Sequence, residues 1–154
     1  MPVEIGKKIP AFSLPATGDQ KISTKDLAGA PWVLYFYPRD NTPGCTVEGE
    51  NFRDHYAKFR RRKVTVLGIS RDNLRSHERF KTKFNFPFEL LSDEDEKVCT
   101  LFDVMKQKNM YGKKVRGIER STFLVGADGK LVREWRKVKI DGHVEEVLEA
   151  IRQM

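Results

Sequence analysis

The sequence predicts an α/β sandwich, a central mixed β-sheet flanked by helices, built as one domain over residues 1–154. Three observations predict it. Two continuous apolar runs, Pro31 to Tyr37 and Val64 to Ser70, read as central strands buried on both faces. Each is followed by a segment with helical spacing, which makes the two strands a parallel pair joined by a right-handed crossover. Near the C-terminus, two strands flank Ala127-Asp128-Gly129, and Asp-Gly between apolar strands signals an antiparallel hairpin.

In chain order, Ile9 to Pro15 is broken by prolines and reads as an extended edge segment. Ile22 to Leu27 reads as a short strand leading into one helical turn. The apolar run from Pro31 stops at Pro38, and Arg39 to Gly44 is rich in turn formers. A helix is expected from about Cys45 to Arg62, with Phe52, Tyr56 and Phe59 at i, i+4 and i+7. Cys45 lies seven residues before Phe52, on the same inward stripe in the first turn. After the second buried strand, Asn73 to Phe84 reads as a helix and Pro87 to Leu91 as a short strand. Asp93 and Glu96 are spaced as a capping box for a helix carrying Val98, Leu101 and Phe102. Met105 to Arg116 has no clear period and reads as a mobile loop. Strands Ser121–Val125 and Lys130–Trp135 form the hairpin. A last helix from Asp141 to about Gln153 carries Val144, Val147, Leu148 and Ile151 at core spacing.

Composition narrows the function. A chain of 154 residues, 39% hydrophobic and 10% aromatic, supports a packed core and not a disordered chain. No window has the apolar length needed to span a bilayer, and MPVEIGKKIPAF lacks a signal-like apolar run, so a cytoplasmic location is expected. Two distant cysteines do not make a disulfide scaffold. With three histidines and no Cys or His pair at ligand spacing, neither a metal nor a cofactor is expected. The net charge of +7 comes partly from Arg60 to Lys63 and from Lys106, Lys108, Lys113, Lys114 and Arg116. The first cluster falls where a helix should end, and cations there suit the helix dipole. That structural reading is preferred over nucleic-acid binding.

Chemistry concentrates between Pro38 and Glu48, where a buried strand gives way to a helix. Ligands of α/β sheets favour the crevice beyond the carboxyl ends of the strands. A cysteine at the start of the helix meets the positive end of its dipole and its free N–H groups, and both favour thiolate, the nucleophilic form. The same amides can stabilise negative charge on an oxygen leaving a broken O–O bond. Thr42, three residues earlier, adds a hydroxyl that can donate and accept.

Pro-x-x-x-Thr-x-x-Cys, formed here by Pro38, Thr42 and Cys45, resembles the active-site motif of the peroxiredoxins. The flanking Phe36-Tyr37-Pro38 and Thr42-Pro43-Gly44-Cys45-Thr46 are similar to the bacterioferritin-comigratory (PrxQ) subfamily. Gly68-Ile69-Ser70, Leu91-Ser92-Asp93, Arg120-Ser121-Thr122-Phe123 and Asp128-Gly129 extend the likeness along nearly the whole chain. The resemblance implies a thioredoxin-like fold and a thiol peroxidase that reduces hydrogen peroxide and organic hydroperoxides through a cysteine sulfenic acid, protecting against oxidative stress. It implies that Cys45 attacks the peroxide, that Thr42 hydrogen-bonds it, and that Pro38 shields the thiolate from water. It gives Arg120 the role of lowering the Cys45 pKa and orienting the peroxide, with Glu48 holding an arginine nearby. A monomer is also implied.

Many PrxQ proteins carry a resolving cysteine at one of two places. Here those places hold Glu50 and Lys81. Cys99 remains, either as a structural thiol, the preferred reading, or as an unusual resolving cysteine. The expected cycle therefore uses one cysteine and an external thiol reductant: thioredoxin, glutaredoxin or a small thiol. A dithiol reductase is disfavoured by the lack of Cys-x-x-Cys. The competing reading from another class is a nucleic-acid or anion-binding module on a thioredoxin-like scaffold, using the two basic clusters.

Overall fold

The structure, a computed structural model, describes residues 3–154. Its strands are β1 (Ser13–Ala16), β2 (Gln20–Ser23), β3 (Trp32–Phe36), β4 (Thr65–Ser70), β5 (Glu89–Ser92), β6 (Met105–Met110), β7 (Lys113–Ile118), β8 (Ser121–Val125) and β9 (Leu131–Trp135). The helices are α1 (Thr24–Leu27), α2 (Pro43–Asp54), α3 (Tyr56–Arg61), α4 (Leu74–Phe84), α5 (Lys97–Leu101) and α6 (His143–Arg152). A seven-stranded sheet runs in the order β2-β1-β5-β4-β3-β8-β9. The three strands at its centre are parallel, β3 to β4 and β4 to β5, and the outer pairings are antiparallel. This is the mixed sheet that the sequence predicts.

The two apolar runs take the middle of the sheet because both of their faces are covered. Every residue of β3 is buried, and its side chains alternate. Val33, Tyr35 and Tyr37 enter one core with Cys45, Phe52, Phe59, Phe80 and Val147, beneath α2, α3, α4 and α6. Trp32, Leu34 and Phe36 enter a second core with Val98, Cys99, Phe102 and Phe123, on the α5 side. The sheet therefore separates the two cysteines. Among the described residues, no helix is long and apolar enough to cross a membrane.

Several elements differ from the sequence expectation. The helix expected over 45–62 begins earlier, at Pro43, a residue suited to the first helical position because it has no N–H to satisfy. It also breaks at His55, whose backbone N–H and ring Nδ1 both lie in hydrogen-bonding range of the Asn51 carbonyl, at 3.2 and 2.9 Å. The segment over 9–15 is not the edge: β1 lies inside the sheet, and β2 forms the border. The capping box of Asp93 and Glu96 does not form. Asp93 instead accepts from the N–H groups of Val98 and Cys99 at 3.2 and 2.7 Å, while the Glu96 carboxylate turns to Arg71 and Arg116. The expected loop over 105–116 is the two-stranded hairpin β6–β7, closed at Tyr111 and Gly112, both at positive φ as a type I′ turn requires. Its faces are both largely exposed, so its sequence carries no apolar alternation to read.

Candidate active site

The loop after β3 carries Pro38 and Thr42, and α2 carries Cys45 in its first turn. Cys45 is 2% exposed. Thr42 is the N-cap of α2 but does not cap the helix with its side chain; its Oγ1 donates to the Arg39 carbonyl at 2.9 Å. With that hydrogen engaged, the oxygen is left as an acceptor. The N–H groups of Gly44 and Cys45, in the first turn, have no intrahelical partner. They are the donors that an anion in front of α2 would meet.

Arg120 arrives from the far end of the sequence, just before β8. Antiparallel pairing sets Ser121 opposite Phe36 and so brings Arg120 to the end of β3 from which the loop departs. Its Nη2 donates to Cys45 Sγ at 3.5 Å, and its Nη1 to Glu48 Oε1 at 2.6 Å. Gly44 leaves room for this approach, since a Cβ there would crowd Arg120 Nη2 at 3.2 Å and Ile140 at 3.3 Å. Burial works against the guanidinium charge, but Glu48 and Cys45 outweigh it and hold Arg120 above the ordinary arginine range. Glu48 is 1% exposed. Burial pushes its carboxyl up to about 7, against the opposing pull of Arg120. Among the described residues its second oxygen has no partner, nor has the hydroxyl of Tyr35 in the same core. The Tyr35 phenol is raised by burial first, then by Glu48 and Cys45.

The loop is anchored from below. Asp40 accepts from Tyr37 Oη at 2.6 Å and Ser76 Oγ at 2.7 Å, and its Oδ2 lies 2.7 Å from His77 Nδ1. The Asp40 N–H donates to Asp72 Oδ2 at 2.9 Å, and His77 Nε2 meets the Leu91 carbonyl at 2.8 Å. Asp40, Asp72 and His77 could offer ligand atoms to a metal, all within 4.8 Å of one another. Their mutual bonds already engage those atoms, and the arrangement ties the loop to α4 and β5.

Arg120 thus meets Cys45 and Glu48, and Thr42 is the N-cap of the helix that carries Cys45, while Pro38 begins the loop that leads to it. Cys99 does not join them. It is fully buried in the other core, where burial and the carboxylate of Asp93 hold its thiol far above the ordinary range. Both cysteines are free. Sequence reasoning missed the anchor formed by Asp40, Ser76 and His77. Its only sequence signal is a set of polar residues that the fold buries.

Comparison with known proteins finds relatives along nearly the whole chain. Residues 5–134 match the model of the AhpC/TSA family. A putative peroxiredoxin bcp of Coxiella burnetii is 49% identical over 148 residues, covering 96% of this chain and 98% of that protein. A PrxQ mutant of Xylella fastidiosa superposes with a TM-score of 0.93 at 42% identity, covering 99% and 98% of the two chains. The Xanthomonas campestris bacterioferritin comigratory protein, solved in a study of its alkyl peroxide reduction, gives 0.91 at 44% identity, with 97% and 98% covered.

Proposed function

The chain belongs to the AhpC/TSA family and is a peroxiredoxin, a thiol-dependent peroxidase with a thioredoxin-like fold, and on that premise we propose that Cys45 carries its chemistry. The observation that supports this most is the contact of Arg120 with Cys45 Sγ at the start of α2. A peroxide held there accepts from Arg120 and the α2 amides and donates its O–H to Thr42 Oγ1. The Cys45 thiolate attacks the terminal peroxide oxygen. The S–O bond forms, the O–O bond breaks, and the leaving oxygen departs as water or an alcohol once protonated. Its developing charge falls where fixed donors already stand, so little reorganisation is needed at the moment of reaction. Pro38, half-buried, screens the sulfur from bulk water. Hydrogen peroxide and organic hydroperoxides are both substrates, since the contacts address only the peroxide oxygens.

Cys45 is left as a sulfenic acid. One external thiol condenses with it, releasing water and forming a mixed disulfide, and a second thiol frees Cys45. Thioredoxin, glutaredoxin or a small thiol supplies both equivalents. Cys99 is structural in this cycle, because the sheet lies between it and Cys45. The whole of 1–154 acts as one catalytic domain. It works as a monomer in the cytoplasm, where a reducing milieu keeps two free cysteines as thiols. Cys45→Ser tests the assignment: peroxide turnover with dithiothreitol as reductant falls to background. Turnover retained in that variant refutes it.

A further inference from the structure

We propose that the β6–β7 hairpin is the docking surface for an acidic protein that carries the reducing thiol. The inference rests on the one-cysteine reading above, which obliges electrons to come from outside. The chain has two cysteines, and Cys99 lies across the sheet from Cys45. The reductant must therefore present its sulfur at the mouth above Cys45, against whatever surface surrounds it.

The hairpin adjoins that mouth. β7 ends at Ile118, two residues before Arg120, and Lys108 Nζ on β6 donates back to the Ile118 carbonyl at 2.5 Å. Lys108 also lies within the fields of Arg120 and Cys45. Between Met105 and Ile118 there are five cationic side chains and no carboxylate. Lys106 pairs with Asp103, and Arg116 pairs with Glu96. Lys108, Lys113 and Lys114 have no carboxylate partner among the described residues. At the tip, Tyr111 is 98% exposed, with Met110 and Val115 exposed beside it. Tyrosine, methionine and arginine are residues enriched at protein interfaces, and the lysines add the positive field that steers an acidic partner.

Charge selects the occupant. A second copy of this chain, itself +7 and bearing the same hairpin, is repelled. Nucleic acid matches the charge but brings no thiol. An acidic redox protein satisfies both demands, and complementary charge speeds its encounter and makes that step salt-dependent.

The test separates the two half-reactions. Sulfenic acid formation on Cys45 is followed with hydrogen peroxide, and its reduction is followed with a thioredoxin of net negative charge or with neutral dithiothreitol. In Lys113→Glu/Lys114→Glu the thioredoxin step falls by about tenfold or more and loses its salt dependence. The peroxide step and the dithiothreitol step stay as in wild type, and Lys113→Gln/Lys114→Gln falls between. An unchanged thioredoxin step overturns the proposal, as does an equal fall with dithiothreitol. Lost binding of a single-stranded oligonucleotide with thioredoxin reduction intact assigns the hairpin to nucleic acid instead. Absence of sulfenic acid in wild type removes the one-cysteine reading itself, and the docking proposal with it.

Discussion

Cys45 and Cys99 are both buried, both free, and both near the N-terminal end of a helix, yet their surroundings are opposite. In front of Cys45 stand a guanidinium and the unpartnered amides of α2. Around Cys99 the amide is already spent on Asp93, and that carboxylate faces the thiol. Under the proposed assignment, burial alone does not select the reacting thiol. The sign of the charge that the fold brings beside each thiol does, together with the sheet that keeps the two cores apart.

The widest gap between the two sites should open or close with Arg120. Arg120→Ala removes a donor from both Cys45 and the bound peroxide, and sulfenic acid formation is expected to slow about 10²–10³-fold, as with loss of one oxyanion donor. Stopped-flow kinetics with hydrogen peroxide measures this directly. A fall of only a few-fold would mean that the α2 amides do most of the work.

His143, on the Cys45 face, sharpens the contrast through acid stability. Its Nε2 pairs with Thr122 Oγ1 at 2.8 Å, and burial, with Arg120, lowers its pKa to about 4. The native state keeps it neutral, whereas the unfolded chain protonates it below its ordinary value. Its stabilising contribution is thus complete above about pH 6.5 and is lost as pH falls toward 4, by up to about 3 kcal/mol. Urea midpoints between pH 7 and 4 should drop less steeply in His143→Gln.

Glu48 has the reverse sign. Its pKa is raised to about 7, so the carboxylate that holds Arg120 is complete only above that pH. The rate of Cys45 oxidation is expected to show an inflection near pH 7 that Glu48→Gln removes, read from a pH profile of the peroxide half-reaction. Over the window from about 4.5 to 7, ionising Glu48 costs native stability as pH rises. The smallest effect belongs to Cys99→Ala, which should leave peroxide turnover unchanged while lowering stability by about 1 kcal/mol for the sulfur lost from the core.

Much of this was legible from the residues. The runs at 31–37 and 64–70 announced the central strands, and the spacing of Pro38, Thr42 and Cys45 marks the candidate site where a loop enters α2. Arg120 was reached only by resemblance, because no local pattern records that β8 pairs beside β3. The β6–β7 hairpin was missed for a physical reason: with both faces wet, its strands have no apolar alternation. The anchor of Asp40, Ser76 and His77 was invisible for the opposite reason, since polar residues that a fold buries look like loop residues until their partners are known.

The most direct test is the intact mass of the reduced protein after about one equivalent of hydrogen peroxide, with a sulfenic-acid trap and peptide mapping. A single adduct on Cys45, with Cys99 still unmodified, is the expected result. Loss of two hydrogens and a Cys45–Cys99 peptide would contradict the account, because it would require the sheet between the two cores to open during the cycle.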